Sequence, residues 1–525
     1  MKKTIFISIL ILAGIIKVFS FCGFYVAKSD LKLFNKTSQI ILVHNGDHTS
    51  VTMSSDFQGD VKDFAMVIPV PVVLKKEDVQ VVDRGLFDAF DVYSGPRLVE
   101  YYDPTPCYQD YGYYKNIPQA TIDVTTTSKM SLSKDEDKTT VKIEAKYTVG
   151  EYDIMVLSAE QSTGLQTWLT ENGYKIPAGA AEILEPYIKS NMKFFVCKVN
   201  LAEMKNAGVQ LLRPLKISFN SPKFMLPIRL GMANGNGTQD MIVYAFTKNG
   251  RVETTNYRTV KMPTDNKVPE FVQSVFGKFY VDLYKKFRKE QGNNNVYLEY
   301  AWDLTNLGGA YYGGYHCDPC VGPSPMLLQM QEAGVDWITP DQYGNYAGSV
   351  FFTRLHVTYS EQDFPQDLMF EETPNKETYQ ARYVLNHCAQ GDLSCDEGKK
   401  YKVNAEKRRW EELNNLASLT GWDVSIYKDY PSTLTGYVVP APKMYYDNIK
   451  NQFVPDTTGL IKKEFDPLNI HQDDFNVLPV GSNGNDNNNN SGGGRNPYFI
   501  FSLVSMLILI SLTVMNRMRK SAMKV

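Results

Sequence analysis

The sequence predicts an α+β fold: a mostly antiparallel β-sheet ectodomain with several helices, plus one C-terminal transmembrane helix. Three observations predict it. β-prone runs are joined by Asn-Gly turns, as in "SQIILVHNGDHTSVTMSSDF", where Gly46 takes positive φ at little cost. Helix-period stretches fall between these runs without a βαβ rhythm, so strands and helices are mixed but not alternating. Residues 498–515 carry no charge over 18 positions, about 27 Å of helix against a hydrocarbon core of about 30 Å.

The chain opens "MKKTIFISILILAGIIKVFSFCGF". Lys2 and Lys3 precede an uncharged run, residues 4–16, that Lys17 closes. Val18 and Ser20 occupy the positions a signal peptidase reads, so residues 1–20 are expected to be a signal peptide cleaved before Phe21. An uncleaved anchor is disfavoured by the short run, and a lipoprotein site at Cys22 by the bulk of Phe21.

His44 and His48 bracket the first hairpin turn and read as exposed turn histidines. "DFAMVIPVPVVL" is an apolar strand whose Pro69 and Pro71 place it at an edge or an end. Residues 95–118, rich in Tyr and Pro, read as an irregular excursion containing Cys107. "TVKIEAKYTVGEYDIMVLSA" returns to strands, two helices follow at 162–172 and 178–191, and "MKFFVCKVN" puts Cys197 on the face of Phe195 and Val199 as a buried single thiol. "PLKISFN" and "MIVYAFTKNGRVETTNYRTV" add further antiparallel strands.

A polar break at 262–270 divides an N-terminal part, 21–262, from a second part, 268–480. Phe271, Val275, Phe279, Leu283 and Phe287 then recur every four residues up to a Gly292 stop, predicting a helix. A second helix is expected over 398–419, with Val403, Trp410, Leu413 and Ala417 on its buried face and "KRR" at 407–409 on a solvated one. Residues 481–497 form an Asn/Gly-rich linker, 498–515 the transmembrane helix and 516–525 a basic cytoplasmic tail with Arg517, Arg519, Lys520 and Lys524. Two other readings of this end stay open, a lipid-anchor signal and a bacterial sorting signal. The host, protist or bacterial, stays open with them.

The chain holds 55 basic and 58 acidic residues. Removing three Lys of the signal peptide and four basic residues of the tail leaves 48 against 58, so the ectodomain carries about −10, which argues against nucleic acid or anionic lipid as a partner. Tyr is abundant, at 33. That suits β-rich packing and polar-tipped surfaces in an exported protein.

Several blocks carry a family likeness. "FCGFYVAKSD", "FAMVIPVPVVL", "PRLVEYYDPTPC", "EYDIMVLSA", "SPKFMLPIRLGM", "GRVETTNYRTVKMP", "EYAWDL", "CDPC", "TRLHVTYS" and "FPQDLMFEET" resemble the exported proteins catalogued as domain of unknown function 2330. The likeness runs from about Cys22 to about Asn386. It implies an envelope or surface protein with a C-terminal membrane segment, and brings no reaction with it. Residues 387–480 look less like the family.

"YYGGYHCDPC" poses the chemical question. Setting Cys197 aside leaves Cys22, Cys107, Cys317, Cys320, Cys388 and Cys395, an even set of disulfide candidates in an oxidising compartment. Cys388 and Cys395, with Gly391 between them, are the easiest local pair, and the other four allow three connectivities. A redox dithiol at Cys317 and Cys320, assisted by His316, lacks a helix N-terminus after the first Cys. A zinc site adding Cys388, Cys395, His316 or His387 lacks the usual second spacing. Structural staples are the preferred reading.

Gly-x-Ser-x-Gly, His-Glu-x-x-His and phosphate-cradling loops are missing from the sequence, and no cofactor signature stands in for them. His356 in "TRLHVTYS" reads as a partly buried structural histidine, and Glu299 and Asp303 as two solvated acids too far apart for a glycosidase pair. Asn35, Asn236 and Asn489 are glycosylation sequons in a eukaryotic host. The expectation is a single-pass, membrane-anchored extracytoplasmic protein at a cell surface or endomembrane. Its C-terminal helix holds the membrane, and an unknown extracellular protein or polysaccharide is the partner of a non-enzymatic domain. The alternative is an exported enzyme, either a thiol oxidoreductase using Cys317 and Cys320 or a metal-dependent hydrolase.

Overall fold

The Asn45-Gly46 turn forms as the sequence demands. In the computed structural model, strands Ser38–Asn45 and His48–Ser54 pair antiparallel around it, with Gly46 at φ +61°. The structure describes residues 24–27, 38–54, 64–107, 141–172, 180–206, 212–232, 238–305, 324–340, 346–434, 444–447 and 452–455. The expected signal peptide, Cys22, Cys317, Cys320, the sequons at Asn35, Asn236 and Asn489, the linker, the transmembrane helix and the basic tail lie outside the described residues. Among the described residues no helix is long and apolar enough to cross a membrane.

The hairpin belongs to a nine-stranded sheet. Its order is Arg258–Lys261, Asn295–Asp303, Phe351–Tyr359, Gln239–Thr247, Ser38–Asn45, His48–Ser54, Leu215–Asn220 and Val79–Val81, with Tyr379–Gln380 pairing Asn295–Asp303 off this path. Most neighbours are antiparallel, and the pairs Gln239–Thr247 with Ser38–Asn45 and Arg258–Lys261 with Asn295–Asp303 are parallel. Strands from both sides of the polar break at 262–270 share one sheet, and all described residues fall in one unit, Met1–Asp466.

A five-stranded sheet lies against it, ordered Phe24–Ala27, Phe64–Val70, Lys193–Val199, Tyr152–Ala159 and Val141–Val149. Pro69 is tolerated because its strand is paired with Lys193–Val199 on one side, whereas pairing to Phe24–Ala27 on the other stops at Val67. Ile40, Leu42 and Met53 of the large sheet meet Ile68, Ile154, Phe195 and Cys197 of the small one. Helices Ser162–Glu171 and Ala180–Lys189 cover the small sheet's other face through Leu165, Leu169, Leu184 and Tyr187. The α+β class, with mostly antiparallel sheets, holds.

The other face of the large sheet positions the site. Helix Gly85–Ser94 packs Phe87 and Phe90 on Tyr244, Phe246 and Phe352. Helix Phe276–Gln291 packs Phe279, Tyr280 and Leu283 with Tyr297, Tyr383 and Leu416. It follows a tight turn, Glu270–Val275, so Val275 falls off the periodic face and is 37% exposed, and Gly292 at φ +107° ends it. Residues 97–102, expected to be irregular, form the strand Arg97–Tyr102, which pairs parallel with Arg382–His387.

Helix Asp396–Thr420 corrects the expected faces. Val403 and Trp410 are 68% and 47% exposed, whereas Arg409 and Glu412 are fully buried beside Ala405, Leu413 and Leu416. The buried stripe runs i, i+4, i+7, i+8 and i+11 from Ala405, as helix geometry requires, but two of its places hold charges. Apolar identity alone pointed to the neighbouring stripe.

Candidate functional site

Two helices pack on this face of the large sheet through separate apolar clusters, and between those clusters runs a row of charges. The strand Phe351–Tyr359 builds it. Its alternation sends Leu355, Val357 and Tyr359 into the core between the sheets, so Arg354, His356 and Thr358 share the opposite face. Asp240 lies opposite Thr358 in the register of strand Gln239–Thr247, one diagonal from His356, and Tyr244 lies opposite Arg354.

Glu299 enters the row beside a backbone irregularity. In the pairing of Asn295–Asp303 with Phe351–Tyr359 the register shifts between Leu298 and Tyr300, leaving Glu299 as the extra residue. Glu299 keeps the face of Tyr297 by alternation, and the bulge brings Tyr300 onto that face as well. The expectation of a solvated acid is corrected: Glu299 is 1% exposed.

The hydrogen bonds close around His356. Its Nδ1 lies 2.8 Å from Glu299 Oε1 and its Nε2 2.8 Å from Asp240 Oδ1. Arg354 donates Nε to Glu299 Oε2 at 2.6 Å and Nη1 to Asp91 Oδ1 at 2.5 Å. From helix Phe276–Gln291, Tyr280 donates to Glu299 Oε1 at 2.6 Å, and Tyr284, one turn on, stacks on the His356 ring at 4.0 Å. Thr358 donates to Asp240 Oδ1 at 2.7 Å, so its 3.0 Å contact with Tyr284 has the phenol as donor. Tyr244 donates to Asp91 Oδ1 at 2.7 Å.

Two carboxylates facing both ring nitrogens require both to carry protons. Burial opposes the charge on His356, but Asp240 and Glu299 overcome it and raise the imidazolium to about 10. Burial likewise works against an ionised Glu299, yet His356 and Arg354 beside it hold the carboxyl down at about 2. At neutral pH Glu299 is therefore a carboxylate and His356 an imidazolium, with no lone pair with which to act as a base or bind a metal. It ties the strand to its two neighbours and to helix Phe276–Gln291, while Arg354 ties the strand to helix Gly85–Ser94.

The other expected residues fall elsewhere. His44, read as exposed, is buried, bonded to Thr49 Oγ1 at 2.9 Å and stacked on Phe224 at 3.8 Å. His48 is partly exposed, with Nδ1 2.8 Å from Asn220 Oδ1. His387 bonds Glu100 at 2.7 Å and stacks on Tyr102. Cys197 is a free thiol, 2% exposed, and burial pushes it well above the usual thiol range. Cys107 is bonded to Cys395, their Cα atoms 5.9 Å apart, and Cys388 is a free, buried thiol. The local bridge between Cys388 and Cys395 is thus corrected: the strand pairing of Arg97–Tyr102 with Arg382–His387 brings Cys107 to the start of the long helix. Among the described residues no group of three or more His, Cys, Asp or Glu is arranged to hold a metal ion.

Sequence reasoning weighed His356 and Glu299 but missed Arg354, Asp240, Asp91 and their tyrosines. The signal lay in "TRLHVTYS": two cations and a hydroxyl at alternate positions of an otherwise apolar strand demand acids on the same face.

Residues 17–371 match the family described as an uncharacterized protein conserved in bacteria, domain of unknown function 2330. The match spans more than half of the chain, which belongs to that family. No curated protein matches it. Among solved structures the chain is similar to the crystal structure of baculovirus P35, at 11% identity over 65% of this chain and 98% of that one, with a TM-score of 0.26.

Proposed function

We propose that this protein is a single-pass, membrane-anchored extracytoplasmic protein whose folded part serves the envelope or surface without catalysis, by binding a protein or polysaccharide or as a structural element. The termini supply the topology: a leader over residues 1–20 and an uncharged run at 498–515 followed by four basic residues. The observation that carries the non-catalytic reading is the charged row. Its one histidine is held as an imidazolium between two carboxylates, so this buried ionisable cluster on the large sheet is spent on rigidity. A rigid sheet presenting surface loops is what a binding or envelope domain needs.

The test uses the full chain in an exporting bacterial host. Expected are a mature mass beginning at Phe21, membrane association that survives alkaline carbonate, and digestion by protease added to intact cells. A chain that keeps Met1, or one shielded from the protease, overturns the topology. Turnover that a point substitution abolishes would instead establish the exported-enzyme alternative, whose residues Cys317 and Cys320 remain in the sequence.

A further inference from the structure

Strand Phe24–Ala27 covers only part of the edge it pairs with. Phe24 lies opposite Val67 and Ala27 opposite Phe64, whereas strand Phe64–Val70 runs three residues further and is paired there with Lys193–Val199 on its other side. Among the described residues no strand covers the remaining edge, Ile68 to Val70.

An apolar pocket opens at that edge. Ile68 and Val70 line it from the small sheet and Met53 from the large one, with Met192, Met225 and Leu226 completing the wall. Met225–Leu226 leads on to the short helix Arg229–Met232, which packs beside Phe24–Ala27. The pocket therefore lies in line with that strand, beyond its N-terminal end.

The register says what reaches it. Continued residue by residue, the pairing puts Gly23 opposite Ile68, Cys22 opposite Pro69 and Phe21 opposite Val70. Residues directly opposite share a face, and Met66, Ile68 and Val70 face the core between the sheets. Phe21 thus falls on the pocket side, and Gly23 brings no side chain to fill the space over Ile68. The strand ends at Val70, so its edge has room for three residues, and a leader cleaved before Phe21 leaves three ahead of Phe24. Pro69 has no N–H to give an edge partner, so the ladder is weak there and burial of an apolar ring supplies what it lacks.

We propose that the mature N-terminus, residues 21–23, docks as an extension of this strand and that the Phe21 ring fills the pocket. The docking rests on the cleavage before Phe21 put forward above, and it makes removal of the leader the step that completes the core. In the uncleaved chain Ser20 has no strand residue left to pair with, because the partner chain segment bends at Pro71 and Val72.

The test is site-specific photo-cross-linking. The full chain is expressed in an exporting bacterial host with benzoylphenylalanine in place of Phe21, irradiated in intact membranes and mapped as peptides, with the mass of the N-terminal peptide read in the same sample. The expected product begins at position 21 and is linked to Met53, Met192 or Met225. Because the benzoyl ring is bulkier than that of Phe21, a second variant keeps Phe21: Pro69→Cys sets a thiol opposite Cys22, non-reduced mapping should show Cys22 bridged to position 69, and adding Phe21→Ala should lower the yield of that bridge. The bridge decides where the bulkier ring gives no cross-link. Cross-links from position 21 to a second copy or to lipid, processed chains with neither product, or a bridge yield indifferent to Phe21→Ala would each overturn the docking. A chain that begins at Met1 overturns the cleavage on which it rests, and the N-terminal mass tells the two failures apart.

Discussion

Two buried ionic clusters in this protein use the same residue types to opposite effect. The row around His356 on the large sheet satisfies both oxygens of Glu299 with three donors. The cluster on helix Asp396–Thr420 leaves Glu412 short: its Oε2 accepts from Tyr430 at 2.9 Å, but its Oε1 is 3.6 Å from Arg408 Nε, beyond a hydrogen bond. Arg408 is turned to Asp103, in a two-pronged contact at 3.1 and 2.6 Å, and Arg409 to Glu270 and the carbonyls of Tyr430 and Leu434. Burial therefore wins at Glu412 and pushes it up to about 7, against about 2 for Glu299. Both carboxylates are hidden from water. What differs is the number and aim of their donors, which decides whether a buried acid keeps its charge. The saturated row lies inside the family-matched segment, 17–371, and the under-bonded helix outside it.

The comparison breaks most sharply at Glu299. Glu299→Ala leaves the Arg354 and His356 charges in the sheet without their shared partner and is expected to cost about 3–5 kcal/mol, read by urea denaturation at neutral pH. A loss below about 1 kcal/mol would mean the row does not hold the strand to its helices.

Titration separates the two clusters next. Glu299 falls from 4.5 unfolded to about 2 folded, so its contribution is present above pH 4.5 and lost as the pH falls toward 2. His356 rises from 6.5 to about 10, so its contribution is present below pH 6.5 and lost as the pH rises toward 10. Between 4.5 and 6.5 the Glu299 and His356 contributions are both full and flat. Glu412 moves the other way from Glu299, from 4.5 to about 7, so stability is fully present below pH 4.5 and declines as the pH rises through 7. Glu412→Gln should remove that decline, becoming more stable than the parent by about 2–3 kcal/mol at pH 8 and differing little at pH 4.5. Equal pH profiles for parent and variant would show that Glu412 finds the donors it lacks here.

The same contrast explains what was legible in the sequence. The hairpin at Asn45-Gly46, the paired helices at 162–191 and the Cys197 face were readable because period and turn chemistry act locally. Glu299 was not, because the groups that bury and hold it, Tyr280, Arg354 and His356, lie 19, 55 and 57 residues away on another helix and strand. Helix Asp396–Thr420 misled because Arg409 and Glu412 are buried by partners 139 and 18 residues away, Glu270 and Tyr430, while Val403 and Trp410 were left outside. Hydrophobicity predicts burial only until a charge finds a partner. Cys107 and Cys395, 288 residues apart, are the covalent form of the same difficulty.

The smallest effects come from single hydroxyls, and they sharpen the comparison without unfolding either cluster. Tyr280→Phe removes one of the donors on Glu299, whose charge the His356 and Arg354 contacts still hold, so a loss of about 1–2 kcal/mol is expected at any pH between 5 and 7. Tyr430→Phe removes the hydrogen bond that Glu412 accepts. At pH 5 Glu412 is already protonated, and the loss should be smaller than that of Tyr280→Phe; at pH 8, where the carboxylate must be buried without that donor, it should be larger. The crossing of the two variants' stability profiles with pH is the signature of one saturated and one under-bonded acid. Parallel profiles would mean that donor count is not what separates them.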